Sequence, residues 1–185
     1  TLKGGAMPDR REFFRQTATL AVGLAARDAA AASGQQGAAT MPTPRASAVM
    51  GLLGLKYPIF CAGMASAASP ELAIAVSNAG GLGAVGTGAA LPAAAVRERV
   101  SRIKSGTSRS FAVDYLLAFD PVTVPVALDA GAPIVQFAWG IPSIDTVGTI
   151  RRAGAKMGVQ IGSAAGAKAA LDAGADYLIC QGIVE

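Results

Sequence analysis

Four times in this 185-residue chain a triplet ending in Ala-Gly closes a helical pattern and hands over to an apolar run. The triplets are Asn78-Ala79-Gly80, Asp129-Ala130-Gly131, Arg152-Ala153-Gly154 and Asp172-Ala173-Gly174. A glycine at that position can take the left-handed conformation that ends a helix. The apolar runs begin two or three residues later, and they constrain the fold more than any other feature. Strands are expected at 57–63, 82–86, 110–117, 133–139, 156–162 and 177–181. They are continuously apolar rather than alternating, as strands of a parallel sheet covered on both faces must be. Helical patterns fill the intervals at 70–78, 92–104, 121–129, 143–152 and 164–172, with Ser69 and Ser143 placed as N-caps.

Repeated strand–helix units predict an α/β fold, and six in succession favour a (β/α)8 barrel over a doubly wound sheet. Such a barrel takes about 250 residues. Residues 50–185 end just after the sixth strand. The expectation is therefore an incomplete TIM barrel of about six βα units, the front part of a longer protein.

Charge has to be located before it is interpreted. Of the formal net charge of +4, residues 1–46 hold +3 and the body +1. The body thus has no basic stripe to grip a phosphate backbone, and no nucleic-acid partner is expected. Arg97, Arg99, Arg102 and Lys104, interrupted by Glu98, read as the wet face of a helix. Charged residues make up 15% of the chain, below the usual share of about 25%, which excludes disordered and coiled-coil classes. Two Cys cannot build a disulfide scaffold or a four-ligand zinc site, so no metal is expected. Cys61 and Cys180 read as small buried hydrophobes. With no His, neither a Ser-His-Asp nor a Cys-His arrangement exists within these residues. No apolar run reaches the roughly 18 residues a membrane span needs.

The first 46 residues read as an address. Asp9-Arg10-Arg11-Glu12-Phe13-Phe14-Arg15 resembles the bacterial twin-arginine export motif, followed by an apolar stretch at 17–26 and small residues near 29–33. Asp9 and Arg15 depart from the usual pattern. The expected organisation is a signal peptide at 1–32, a linker at 33–49 and a barrel segment at 50–185. The leader implies the twin-arginine translocase as a partner and a periplasmic or exported location, or a cytoplasmic one if it does not function.

Gly81-Leu82-Gly83-Ala84-Val85-Gly86 matches G-x-G-x-x-G. A dinucleotide fingerprint requires those glycines to follow a strand and open a helix directly. Here they lie inside a strand candidate and the next helix begins near residue 92. The motif is read as a strand entered through a tight turn, with Gly86-Thr87-Gly88 as the loop at its end.

Two strings are specific. Tyr57-Pro-Ile-Phe-Cys-Ala-Gly-Met64 and Ser69-Pro-Glu-Leu-Ala-Ile-Ala-Val-Ser-Asn-Ala-Gly-Gly-Leu-Gly-Ala-Val-Gly86 closely resemble the nitronate monooxygenase family, formerly called 2-nitropropane dioxygenases. Phe111-Ala-Val-Asp-Tyr115, Val135-Gln-Phe-Ala-Trp-Gly-Ile-Pro142 and Gly174-Ala-Asp-Tyr-Leu-Ile-Cys-Gln-Gly182 fit in order. The resemblance implies an FMN-dependent TIM barrel that oxidises alkyl nitronates with O2. Flavin-dependent NAD(P)H enoyl-ACP reductases share the fold and motifs and are the rival reading. A non-catalytic fragment is the third.

Residue by residue, the resemblance implies that Ala62, Gly63 and Met64 border the flavin ring, and that Gln181 and Gly182 hold FMN. Asp114 stands where the family has an Asn that contacts the flavin. An amide both donates and accepts, whereas an ionised carboxylate only accepts. Asp114 is thus expected to face a flavin N–H, to be protonated or to point elsewhere. Ala138, beside Trp139, replaces a His found in one branch. The family's catalytic His ends a Q-G-x-E-A-G-G-H stretch; here Gln181-Gly-Ile-Val-Glu185 is the last of the sequence, so no catalytic residue is expected within the chain and that His is expected beyond Glu185.

Overall fold

A computed structural model describes residues 43–64, 67–88 and 91–181. The expected signal peptide and Gly182 lie outside these residues. The first element is a helix, α1 (Pro44–Leu53), where the sequence reading had run a linker through residue 49. Thr43 caps it by accepting from the Ala46 N–H at 3.3 Å, and Pro44 stands in its first turn. Small, weakly patterned residues hid this helix: only Leu53 on it is buried.

The remaining elements alternate. They are α2 (Pro70–Ala79), β1 (Gly83–Gly86), α3 (Ala93–Gly106), β2 (Phe111–Leu116), α4 (Val124–Asp129), β3 (Ile134–Ala138), α5 (Ile144–Arg152), β4 (Lys156–Ile161), α6 (Ala164–Asp172) and β5 (Tyr177–Cys180). Ser69 and Ser143 cap α2 and α5 as expected, each accepting from an N–H three residues on. Gly80, Gly131, Gly154 and Gly174 all have φ between 69° and 104°, so the recurring triplet does end helices through a left-handed glycine.

The five strands form one parallel sheet in the order β1-β2-β3-β4-β5. Strand order that follows chain order without reversal is the arrangement of a (β/α)8 barrel; a doubly wound sheet reverses at a switch point. The fold is α/β, with the strand succession of an incomplete barrel. The expected strand at 57–63 is reduced to a single parallel bridge between Phe60 and Leu82. Lys56 and Tyr57 donate instead to the Gly80 carbonyl, at 2.8 and 3.0 Å, which diverts the chain before it can pair further.

Two apolar layers hold the sheet. On the helix side, Val85, Phe111, Val113, Val135, Phe137, Met157 and Val159 pack against Ala73, Val96, Val100, Ile103, Ala127, Ile150 and Ala170. On the inner side, Leu82, Ala84, Ala112, Ile134 and Tyr177 form a smaller cluster that α1 closes with Leu53. Burying each large aliphatic or aromatic side chain contributes roughly 1.5–3 kcal/mol. Ser77 joins α2 to the sheet: its hydroxyl donates to the Ser110 carbonyl at 2.9 Å and accepts from the Gly83 N–H at 3.1 Å. Cys61 is half-buried and Cys180 exposed, both as free thiols, so the expectation that both are buried is corrected. Among the described residues β5 pairs only with β4, which leaves Cys180 on an uncovered edge.

Candidate functional site

The strand register sets one row of residues across the whole sheet. Gly86 pairs with Asp114, Asp114 with Gln136, Gln136 with Gly158 and Gly158 with Tyr177. Side chains alternate faces along a strand. Asp114, Gln136 and Tyr177 therefore share the inner face with Ala112 and Ile134. Polar groups at mid-sheet among continuous apolar runs are costly unless paired. Two of the three are paired: the Gln136 amide donates to the Tyr177 hydroxyl at 2.8 Å. Gly158 makes that bond possible, since a Cβ there would stand 2.6 Å from the Tyr177 hydroxyl oxygen. Burial, above all, pushes the Tyr177 phenol above the usual phenol range, although the Gln136 hydrogen bond pulls the other way.

Asp114 is the exception. Its backbone is fixed, because the Thr87 N–H and hydroxyl both donate to its carbonyl at 3.0 Å. Its Oδ1 is buried without a hydrogen-bond partner. Burial raises its carboxyl from the ordinary 3.8 to about 7, and the facing Gly63 N–H offsets part of that rise. Gly63 is pressed against this side chain: a Cβ on Gly63 would lie 2.5 Å from Asp114 Cβ and 2.7 Å from its Cγ.

Above this row, at the C-terminal ends of the strands, opens a cavity of about 460 Å³. A (β/α) barrel builds its active site at that end. Ala62, Gly63, Gly86, Asp114, Gln136, Gln160 and Gln181 line it, together with apolar Phe60, Leu116, Phe137 and Ile179. Trp139 stands at its rim with φ 64° and 65% exposed. A positive φ is a genuine outlier for a bulky side chain and marks functional sites more often than ordinary loops. Among the described residues, no Lys or Arg lines this cavity, and no cluster of three His, Cys, Asp or Glu is placed to hold a metal ion.

The fold brings Ala62, Gly63, Asp114 and Gln181 of the sequence-derived set to one cavity. Met64 is not part of its lining and is 49% exposed. Gln136, Gln160, Gly158 and Tyr177 were not singled out from the sequence. Gln136 and Gln160 were findable as amides interrupting apolar strands; Gly158 and Tyr177 were not, because their pairing depends on register. Gly83–Gly86 is strand and the next helix starts at Ala93, so the G-x-G-x-x-G string opens no helix.

Known proteins share both sequence and fold with this chain. The sequence model described as nitronate monooxygenase matches residues 46–123. The chain is similar in sequence to proteins named nitronate monooxygenase. It is 28% identical to the probable nitronate monooxygenase of Staphylococcus saprophyticus, with 72% of this chain and 48% of that protein covered. It is 30% identical to the nitronate monooxygenase of Pseudomonas aeruginosa, covering 71% and 49%. The chain thus spans about half the length of the curated relatives it matches. Among solved structures, FabK from Thermotoga maritima superposes with a TM-score of 0.68 at 33% identity, covering 76% of this chain and 44% of that one. Nitroalkane oxidase from Streptomyces ansochromogenes gives 0.65 at 27%, covering 74% and 48%.

Proposed function

We propose that the protein containing this chain is an FMN-dependent oxidoreductase that oxidises alkyl nitronates with O2. The observation that carries the reading is convergence. Ala62, Gly63, Asp114 and Gln181 come from three motifs far apart in sequence and border one cavity at the strand ends. The cavity suits a planar heterocycle: Ala62, Gly63 and Gly86 carry little or no side chain where the ring has to approach the backbone. The unpartnered Asp114 Oδ1 supplies a polar atom that a bound ring would satisfy.

In this reading Gln181, with Gly182 beside it, holds the flavin through its amide. A flavin held there would supply the redox chemistry that links nitronate oxidation to O2 reduction. The chain's own residues bind and orient. Gly63 and Asp114 fix the edge of the ring, and Trp139 covers the mouth where substrate enters. Ala138 leaves the position beside Trp139 apolar. The leader, in the same proposal, directs export by the twin-arginine route; replacing Arg10-Arg11 with Lys-Lys abolishes export if that is right and leaves location unchanged if it is not.

The activity is tested by supplying the intact protein with FMN and an alkyl nitronate and following dissolved O2. Consumption of O2 without NAD(P)H supports the proposal. Consumption of NAD(P)H with an enoyl thioester, and no O2 uptake with a nitronate, overturns it in favour of an enoyl reductase.

A further inference from the structure

Asp114 can meet a ligand either as a carboxylate that only accepts or as a carboxylic acid that also donates. A carboxylate at this point would sit on the inner face with one oxygen buried and unpartnered. Its surroundings do not supply a compensating charge. Across β1 it meets Gly86 and across β3 the neutral amide of Gln136. The segment before α2 offers the Gly63 N–H and, in the same cavity, the Cys61 thiol. From β5 it meets the Tyr177 phenol, whose hydroxyl already accepts from Gln136. Among the described residues no Lys or Arg lines the cavity, and Lys156, two residues along β4 from Gly158, is 3.6 Å from Asp176 Oδ1. Gly63 cannot yield either, because the two residues are in steric contact. An ionised, unpaired carboxylate in such a place is strongly disfavoured.

We infer that Asp114 keeps its proton and donates it, from its carboxyl O–H, to an acceptor atom of the ligand in this cavity. The inference rests on the FMN reading for the identity of that ligand. It makes Asp114 a functional equivalent of an amide, a carboxyl that faces the Gly63 N–H as an acceptor while Oδ1 donates. It also makes ligand capture sensitive to pH, which an amide at this position is not. Burial agrees, holding the carboxyl's titration near neutrality. Below that point the donor is present; above it the donor is lost and a negative charge appears in its place.

The test is FMN affinity of the intact protein between pH 6 and pH 9, alongside Asp114→Asn, with the carboxyl C=O infrared band followed in parallel. The inference expects wild-type affinity to weaken at least tenfold across that range, approaching tenfold per unit above the titration point, and the Asn variant to bind with no such slope. Because both proteins see the same FMN phosphate, its own titration cancels in the comparison. Wild-type affinity that is constant, or that tightens with rising pH, overturns the inference, since the charged form would then be the binding form. If neither protein binds FMN at any pH, the FMN reading fails separately and the infrared band decides. A protonated-carboxyl band at pH 6, lost by pH 9 and missing from Asp114→Asn, supports a proton-holding Asp114; its absence at pH 6 in the wild type overturns it.

Discussion

A single carboxyl couples this protein's stability to its site. Asp114 titrates near 7 in the folded chain against an ordinary 3.8. The folded state therefore binds a proton that the unfolded state has released anywhere between those values. The sign follows: the stabilisation is fully present below about pH 4, declines as pH rises towards 7 and is gone above it. Asp114→Asn removes this dependence. Denaturant unfolding is expected to show the two proteins similar near pH 4, with the variant more stable at pH 8 by about 2–4 kcal/mol; a less stable variant at pH 8 contradicts the assignment. Gly63 faces the same carboxyl, and its contact is steric. Gly63→Ala is expected to cost about 1–3 kcal/mol of stability through overpacking and to abolish FMN binding, measured by unfolding and by flavin titration. A variant that binds FMN as the wild type does contradicts the placement of Gly63 against the ring.

The elements were mostly legible in the sequence, for a local reason. Helix ends are fixed by a few residues, and the Ala-Gly triplets with Ser69 and Ser143 marked them. Five of the six strand candidates formed where continuous apolar runs predicted them. The candidate at 57–63 did not, because the Gly80 carbonyl takes the Lys56 and Tyr57 N–H groups, a tertiary choice that no apolar run reveals. α1 was missed since it carries one buried residue and no strong stripe. At the site, Asp114, Gly63 and Gln181 were reachable through motif resemblance, whereas the Gln136–Tyr177 pair needs the register of three strands. Ser77 shows how elements are joined. Ser77→Ala leaves the part-buried Ser110 carbonyl and the buried Gly83 N–H without the hydroxyl between them. A loss of about 1–3 kcal/mol is expected from chemical denaturation; a change under about 0.5 kcal/mol contradicts the role given to that hydroxyl.

At the scale of the molecule, one row of residues and one cavity account for the proposed function. The row Gly86–Asp114–Gln136–Gly158–Tyr177 is set by parallel register, and register is a property of the whole sheet. The cavity above it collects residues from the segment before α2, from β2 and from the end of β5. Among the described residues no helix is long and apolar enough to cross a membrane. The relatives named nitronate monooxygenase are about twice as long as this chain, and the half matched here carries the face on which the proposed ring lies. The central claim, that this cavity holds FMN, is tested most directly by equilibrium titration of the intact protein with FMN, read by flavin absorbance and fluorescence. The account predicts saturable binding of one FMN per chain, lost in Gly63→Ala. Binding that does not saturate, or that survives Gly63→Ala unchanged, contradicts it.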